Sequence, residues 1–236
     1  MFTQFIITAL IVLTYNTSPK SDSVSNQDFA PFDYSENAVK ITQEGEILKG
    51  KEKIDEYHKK VQFSPQSFES RKKLMANERR GLEYEIGEYS DKDKTKIKTL
   101  IIWKNSDSQK VIDFEVAVNS EDNDLDSSVL DCRREEWMKL CNDHKVEALV
   151  RNLYSSNTIY YNHKPVVIGH EDLIQEYGYM NNEKYSLTLS PIVIEPVSSD
   201  FIYEIGQCSG GYNGKYILIW RKEGDGQWRV FIDSNI

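Results

Sequence analysis

The sequence predicts an α+β fold made of two cone-shaped modules, each a curved antiparallel sheet wrapped on helices. Three observations predict it: an internal repeat, a helix-rich start of the second half, and a run of strands after that start. A chain of 236 residues can hold two modules of about 100 residues, each large enough for its own core. Helices followed by antiparallel strands are typical of the α+β class.

The repeat consists of four short matches that occur in the same order in both halves. The offset between the halves runs from 117 residues (Trp103 to Trp220) to 120 residues (Tyr34 to Tyr154). Nearly constant spacing over four matches indicates a duplicated module. The matches pair Tyr34 with Tyr154, Gly50 with Gly169, Tyr84-Glu85-Ile86-Gly87 with Tyr203-Glu204-Ile205-Gly206, and Ile102-Trp103 with Ile219-Trp220.

The second module, residues 128–236, shows the complete order of elements. Apolar residues spaced three and four apart from Trp137 to Leu153 predict an amphipathic helix, which Asn142-Asp143 breaks into two. Gly169 precedes a further helix. The predicted elements after the break are strand Thr158–Tyr161, helix Glu171–Tyr177, and strands Leu187–Val197, Phe201–Cys208, Lys215–Lys222 and Gln227–Asp233.

The first module, residues 32–118, repeats this order in degenerate form. Its leading long helix is missing or shortened, and the basic run Arg71-Lys72-Lys73 is interpreted as a solvated helix face. The polar, acidic residues 119–127 form the predicted linker between the modules. The predicted elements of the first module are helix Lys51–Lys60 and strands Leu82–Tyr89, Ile97–Lys104 and Lys110–Val118.

The N-terminal segment predicts export. Residues 1–18 carry no charged side chain and contain an apolar run too short to span a bilayer, as in the central part of a signal peptide. Residues 19–31 are then a polar linker. This predicts a secreted or periplasmic protein without stable membrane insertion after processing. If the segment is instead a first strand or helix of the fold, the protein is cytoplasmic.

The net charge argues against nucleic-acid binding, and the spacing of possible metal ligands argues against a metal site. The net charge is −9 and the pI about 5.1, which argues against a nucleic-acid-binding surface. His163, His170 and Glu171 could contact a metal, but no spacing fixes a complete ligand set. We therefore expect no metal and no cofactor.

The second module resembles the nuclear-transport-factor-two-like superfamily, which includes ketosteroid isomerases and SnoaL-like cyclases. The resemblance covers nearly all of the second module and, more weakly, residues 34–118. It implies a curved sheet around helices with an open pocket, and many activities share this fold. The residues that carry it are Glu147-Ala148-Leu149-Val150, Leu153-Tyr154-Ser155, Asn157-Thr158-Ile159-Tyr160, Gly169, Trp220-Arg221-Lys222 and residues 225–230.

The isomerase chemistry that this resemblance implies is absent at the matching positions. The isomerases use a tyrosine and a protonated aspartate to stabilise an oxyanion, and a second aspartate to move the proton. These positions fall on Trp137, Leu218 and Tyr161, respectively. An indole donates one hydrogen bond, leucine none, and a phenol with a pKa near ~10 is a poor base.

Alternation along the predicted strand Phe201–Cys208 places Tyr203 and Ile205 on the same face of that strand. Alternation along the last predicted strand places Trp228, Val230 and Ile232 on one face of that strand. An aromatic cone suits a flat apolar or amphipathic ligand, unless these rings only pack the core. The candidate pocket residues are Trp137, Tyr161, His163, Tyr177, Tyr203, Leu218 and Trp220.

Two functional hypotheses follow. The first is a non-catalytic module that binds a small apolar ligand or a protein. The second is a SnoaL-like or isomerase-like enzyme with a rearranged acid/base site around Trp137, Tyr161 and His163 in the second module. The missing helix would also leave an apolar sheet face of the first module open. We expect the second module, or a second copy of the chain in a homodimer, to cover that face.

Overall fold

The computed structural model describes residues 32–90, 95–106, 109–121, 124–162 and 165–236. The predicted signal peptide at 1–18, the linker at 19–31 and His163 lie outside these residues. Helix α1 of the first module has the bounds that the sequence predicts, Lys51–Lys60. The strands of this module are β1 (Tyr34–Ile41), β2 (Ile47–Lys49), β3 (Ser67–Asn77), β4 (Leu82–Ser90), β5 (Lys96–Ser106) and β6 (Gln109–Asn119).

The second module begins with two helices, α2 (Asp131–Asn142) and α3 (Val146–Leu153). The predicted break between them is confirmed, and His144 adopts a positive φ of 58° within it. No helix in the described part of the chain is long and apolar enough to cross a membrane. The remaining elements are β7 (Tyr154–Tyr161), β8 (Val167–Ile168), α4 (His170–Glu176), β9 (Leu187–Ser198), β10 (Phe201–Gly210), β11 (Gly214–Lys222) and β12 (Trp228–Asn235).

The α+β class with two modules is confirmed, and the two six-stranded sheets have the same topology. Their orders are β2-β1-β6-β5-β4-β3 and β8-β7-β12-β11-β10-β9. Each sheet is mixed rather than purely antiparallel, because its first long strand pairs in parallel with its last strand. That parallel pairing sets Lys40 opposite Glu115 in the first module and Tyr160 opposite Asp233 in the second.

The basic run Arg71-Lys72-Lys73 lies in strand β3, so its interpretation as a helix face is wrong. Strand β3 is the edge of its sheet, and most of its side chains face solvent. Charged side chains on an edge strand oppose pairing with another chain. The exposed pattern therefore gave no two-residue alternation to indicate a strand.

The repeated glycines are required by the backbone. Gly50 and Gly169 precede α1 and α4 with φ of 91° and 84°, a region that favours glycine. Each donates its N–H to the first long strand of its sheet, at 2.8 Å from the carbonyl oxygens of Ala38 and Thr158. The repeated glycine therefore marks the same strand-to-helix turn in both modules.

The repeated Tyr-Glu-Ile-Gly segment forms a buried pair with the repeated tryptophan. The Trp103 indole donates to Glu85 at 2.5 Å, and the Trp220 indole donates to Glu204 at 2.9 Å. The glycine two residues after each glutamate leaves space for an aromatic ring from a neighbouring strand, Phe68 beside Gly87 and Tyr216 beside Gly206. A Cβ at Gly206 would overlap the ring of Tyr216.

We expect Gly206→Ala to lower the free energy of unfolding by about 1–3 kcal/mol, because the added methyl group displaces the Tyr216 ring. Urea unfolding at equilibrium measures this change. Gly178→Ala is the matched control, since a Cβ at Gly178 meets no atom within 4 Å. Equal effects of the two substitutions would contradict the packing argument.

The two sheets pack face to face through one apolar cluster, which we call the intersheet core. It joins Phe114, Val116 and Tyr84 of the first module to Ile205 and Ile219 of the second. Polar contacts cross the same boundary: Lys98 Nζ lies 2.6 Å from the Glu195 carboxylate. The helices of the second module cover the opposite face of its sheet. Each sheet thus has an intersheet face and a face that lines its own cone.

Candidate functional site

The structure divides the predicted pocket residues between these two faces. Trp137, Tyr177, Leu218 and Trp220 lie in the cone of the second module. Tyr161 and Tyr203 lie in the intersheet core. The reason is register: Tyr203 pairs with Ile219 rather than with Leu218, so it shares the face of Ile219.

Tyr161 and Tyr203 both donate hydrogen bonds to the first module. The Tyr161 hydroxyl donates to Asp113 Oδ2 at 2.8 Å, and its ring stacks on Phe114 with centroids 4.7 Å apart. The Tyr203 hydroxyl donates to the Lys98 carbonyl at 3.1 Å. Trp220, although in the cone, is fully buried against Glu204. Tyr161 and Tyr203 therefore link the two sheets, whereas Trp220 bonds within the second module.

A hydrogen-bonded group around Asp233 lies at the centre of the second cone. Asp233 Oδ2 accepts from the Tyr154 hydroxyl at 2.7 Å and also from the Tyr177 hydroxyl. The Trp137 indole donates to the Tyr154 oxygen at 2.9 Å. Burial raises the pKa of Asp233 to about 6, although both hydroxyl donors act to lower it. The carboxyl therefore titrates near neutral pH.

A bulge brings Asp233 into the cone. Val230 pairs with Trp220 but Ile232 pairs with Ile219, so Phe231 is an extra residue in β12. Ile232 therefore packs in the intersheet core, away from Val230, and the prediction that they share a face is wrong. Asp233 takes the cone-facing position instead.

The second cone is almost filled by side chains. A cavity of about 20 Å³ remains beside Asp233, lined also by Trp137, Tyr177 and Leu218. This volume is enough for roughly one water molecule. Three of the predicted pocket residues thus line a common space, but the space admits only a very small group.

The first module contains a much larger cavity, of about 550 Å³, which we call the first cavity. It opens between the loop after α1 and the sheet. Apolar and polar side chains share its walls, so it suits an amphipathic molecule. Its lining includes Lys40, Thr42, Gln43, Glu44, Tyr57, Val61, Phe63, Gln66, Tyr89, Thr95, Ile97 and Ala117.

Lys40, which lines the first cavity, belongs to a buried ion pair. Lys40 Nζ lies 2.5 Å from Glu115 Oε2, and both side chains are at most 4% exposed. Glu115 also accepts from Tyr34, and from Thr99 at 2.9 Å. Burial acts to raise the pKa of Glu115, but the Lys40 charge and these donors hold it below its usual value. The carboxylate is therefore ionised and well bonded.

The Lys40 ammonium retains donor capacity toward the cavity. It has three N–H groups; one is directed to Glu115 and another to the Tyr34 hydroxyl at 3.3 Å. No third acceptor exists among the described residues, and Nζ lies 5.7 Å from the centre of the Phe63 ring. A ligand oxygen in the cavity could accept the third bond.

His58 lies behind the cavity wall and is neutral. Its ring stacks on Phe63 with centroids 4.8 Å apart, and Nε2 is buried with no partner in the described part of the chain. Burial, helped by the Lys40 charge, lowers the pKa of His58 to about 4. Phe63 separates the imidazole from the cavity in this conformation.

Solved structures provide a comparison for single modules. A nuclear-transport-factor-two-like protein of unknown function from Shewanella oneidensis is 12% identical; the match covers 46% of this chain and 97% of that protein, with a TM-score of 0.42. A ketosteroid isomerase-like protein from Erwinia carotovora is 14% identical, with coverages of 48% and 98% and a TM-score of 0.36. A putative ketosteroid isomerase from Shewanella frigidimarina is 18% identical, with coverages of 47% and 96% and a TM-score of 0.37.

Each of these matches covers about half of this chain and nearly all of the other protein. No family model and no curated protein matches the chain.

Proposed function

We propose that this protein binds a small amphipathic molecule in the first cavity without transforming it. The observation that carries the proposal is the contrast in volume between the two cones, about 550 Å³ in the cone of the first module against about 20 Å³ inside the cone of the second. Ligand sites commonly occupy several hundred cubic ångströms and combine apolar walls with a few polar groups. The first cavity has both properties.

The polar groups of the first cavity support binding rather than acid–base catalysis. A general base works best with a pKa near the operating pH. The Glu115 pKa is held low, and burial raises the pKa of Tyr34 and of Tyr89 well above the usual phenol value. The Lys40 ammonium remains a donor, so we propose a ligand with a carboxylate or carbonyl oxygen.

Val61→Trp tests this site because Val61 lines the cavity and is 47% exposed, so a larger side chain can narrow the opening without entering the core. We expect one or more members of a panel of aliphatic and aromatic carboxylic acids and ketones to raise the Tm of the wild type, and much less that of Val61→Trp. A ligand at one hundred times its Kd stabilises by about 2.7 kcal/mol.

The matched control is Ile168→Trp, at a 42% exposed position of the second module. It should respond to the same compounds as the wild type. The proposal is wrong if no compound stabilises the wild type, or if Val61→Trp responds equally.

A second candidate is an enzyme with a rearranged acid/base site in the second module. Asp233 alone favours it, because a carboxyl with a pKa of about 6 suits proton transfer near neutral pH. Such an enzyme would exchange an acidic C–H proton of an enolisable ketone with solvent deuterium. Exchange that is absent from the wild type, or that survives Asp233→Asn, contradicts this candidate.

A further inference from the structure

Asp233 is a buried carboxylate without a cation. It is 4% exposed, and among the described residues its environment consists of burial and two tyrosine donors, with no cation. Oδ2 accepts both tyrosine hydroxyls, whereas Oδ1 has no donor among the described residues. Buried carboxylates are usually paired, because removal of a charge from water is costly. The second module therefore contains a buried acceptor atom, Asp233 Oδ1, to which no described residue donates.

In the first module, a lysine ammonium pairs with the carboxylate that is equivalent to Asp233. Glu115 and Asp233 occupy the same place in their sheets, since each lies opposite the corresponding residue of the parallel strand. In the first module that residue is Lys40, whose ammonium lies 2.5 Å from the carboxylate. In the second it is Tyr160, whose hydroxyl donates to Asn235 Oδ1 at 2.7 Å instead. The two sites share the carboxylate, and only the site of the first module has the ammonium.

The surroundings of Asp233 favour a cation over a neutral donor. The rings of Trp137, Tyr177 and Tyr216 line the small cavity beside the carboxylate. Aromatic rings attract ammonium groups through their electron-rich faces. The cavity volume of about 20 Å³ admits a group the size of water, which matches a primary ammonium and excludes a quaternary one.

We propose that the cavity beside Asp233 binds the primary ammonium group of a small organic amine. This site is separate from the first cavity and goes beyond the function proposed above. The ammonium would donate to Asp233 Oδ1 and take the place that Lys40 Nζ has in the first module.

The remainder of the amine would lie in an outer cleft of about 460 Å³ at the mouth of the second cone. Tyr185, Tyr212 and Asn235 line both this cleft and the inner cavity, so they separate the two spaces. Tyr179, 48% exposed, lies on the far side of the cleft with its ring 5.2 Å from that of Tyr185. The amine would therefore reach Asp233 past these shared residues, and a linear alkyl chain is the narrowest group that can follow the ammonium.

The probe is butylammonium chloride, with 1-butanol as its uncharged counterpart and sodium chloride as the ionic-strength control. The Tm is measured against probe concentration at about pH 8, where a carboxyl with a pKa of about 6 is ionised. We expect butylammonium, but not butanol or sodium chloride, to raise the wild-type Tm in a saturable way.

Two variants locate the effect. Asp233→Asn removes the charge at nearly constant shape, and Tyr160→Lys restores the lysine of the first module opposite Asp233. We expect each to weaken butylammonium binding at least tenfold, whereas Val61→Trp should bind it as the wild type does. No saturable response of the wild type, an equal response to butanol, or unchanged binding by a folded Asp233→Asn variant would each overturn the proposal.

Discussion

Replacing Lys40 by methionine should lower the free energy of unfolding by about 3–5 kcal/mol near neutral pH, because it leaves the fully buried Glu115 carboxylate without its cation. The substitution should also reverse the pH dependence that Glu115 gives to the free energy of unfolding. In the wild type the Glu115 pKa is below its usual value, so its stabilising contribution is lost as the pH falls. In Lys40→Met burial dominates and raises this pKa, so the stability should decrease as the pH rises above about 4.5.

Urea unfolding over a range of pH measures both effects. Lys49→Met is the matched control, because Lys49 is exposed in β2 and its loss should cost less than about 0.5 kcal/mol. The double variant Lys40→Met/Glu115→Gln should recover much of the loss, since the amide is neutral and Thr99 can donate to the Val116 carbonyl at 3.0 Å instead. A small effect of Lys40→Met alone would mean that the pair contributes little to the fold.

The repeat in the sequence predicted the architecture because its matched residues are structural. Gly50 and Gly169 form equivalent turns, and Glu85 and Glu204 accept from equivalent tryptophans. Such positions tolerate few alternatives, so they stay recognisable after duplication. The α+β class, helix α1 and the break between α2 and α3 could therefore be predicted.

The site could be predicted only in part, because bulges decide which face a residue occupies. Alternation along β12 places Asp233 on the wrong face unless the extra residue Phe231 is known. An equivalent shift at Asp113 precedes Glu115 in β6. One signal was available: Lys40 interrupts the apolar run Ala38-Val39-Lys40-Ile41, and a lysine in a buried strand requires an anion.

Assigning the pocket to the second module rested on its more complete set of elements. In the structure, however, the module with the more complete set of elements has the smaller cavity inside its cone. Helices α2 and α3 supply Trp137, Cys141 and Leu149, which fill the cone of the second module. The first module has one α-helix among the described residues, and its cone keeps a cavity of about 550 Å³.

Replacing Asp233 by asparagine should raise the free energy of unfolding near neutral pH by up to about 3 kcal/mol. Burial raises the pKa of this carboxyl from 3.8 to about 6, and each pKa unit corresponds to about 1.4 kcal/mol. Between these values the folded protein holds a proton that the unfolded chain releases. The stability of the wild type should therefore fall as the pH rises from about 4 to about 6, and Asp233→Asn should remove this decrease.

The measurement is the difference in free energy of unfolding between the two proteins as a function of pH. Burial raises the pKa of the tyrosine and cysteine groups around Asp233, among them Tyr154, Tyr177, Tyr160, Tyr179 and Cys208. These groups therefore do not titrate between about pH 4 and 6. Asp200→Asn, at an exposed turn, is the matched control. A constant difference across this range would contradict the assignment.

Tyr160→Lys tests the same assignment by placing a cation of the chain itself opposite Asp233. A lysine opposite Asp233 should lower the carboxyl pKa, as Lys40 does for Glu115, so the fall in stability between about pH 4 and 6 should disappear. If the carboxyl pKa falls below 3.8, stability should rise with pH only below about pH 4. Saturating butylammonium should have the same effect on the wild type, because a bound ammonium favours the ionised carboxylate. Agreement between an internal lysine and an external amine would show that the two modules differ by one missing cation, whereas an unchanged slope in Tyr160→Lys would show that position 160 does not face the carboxylate.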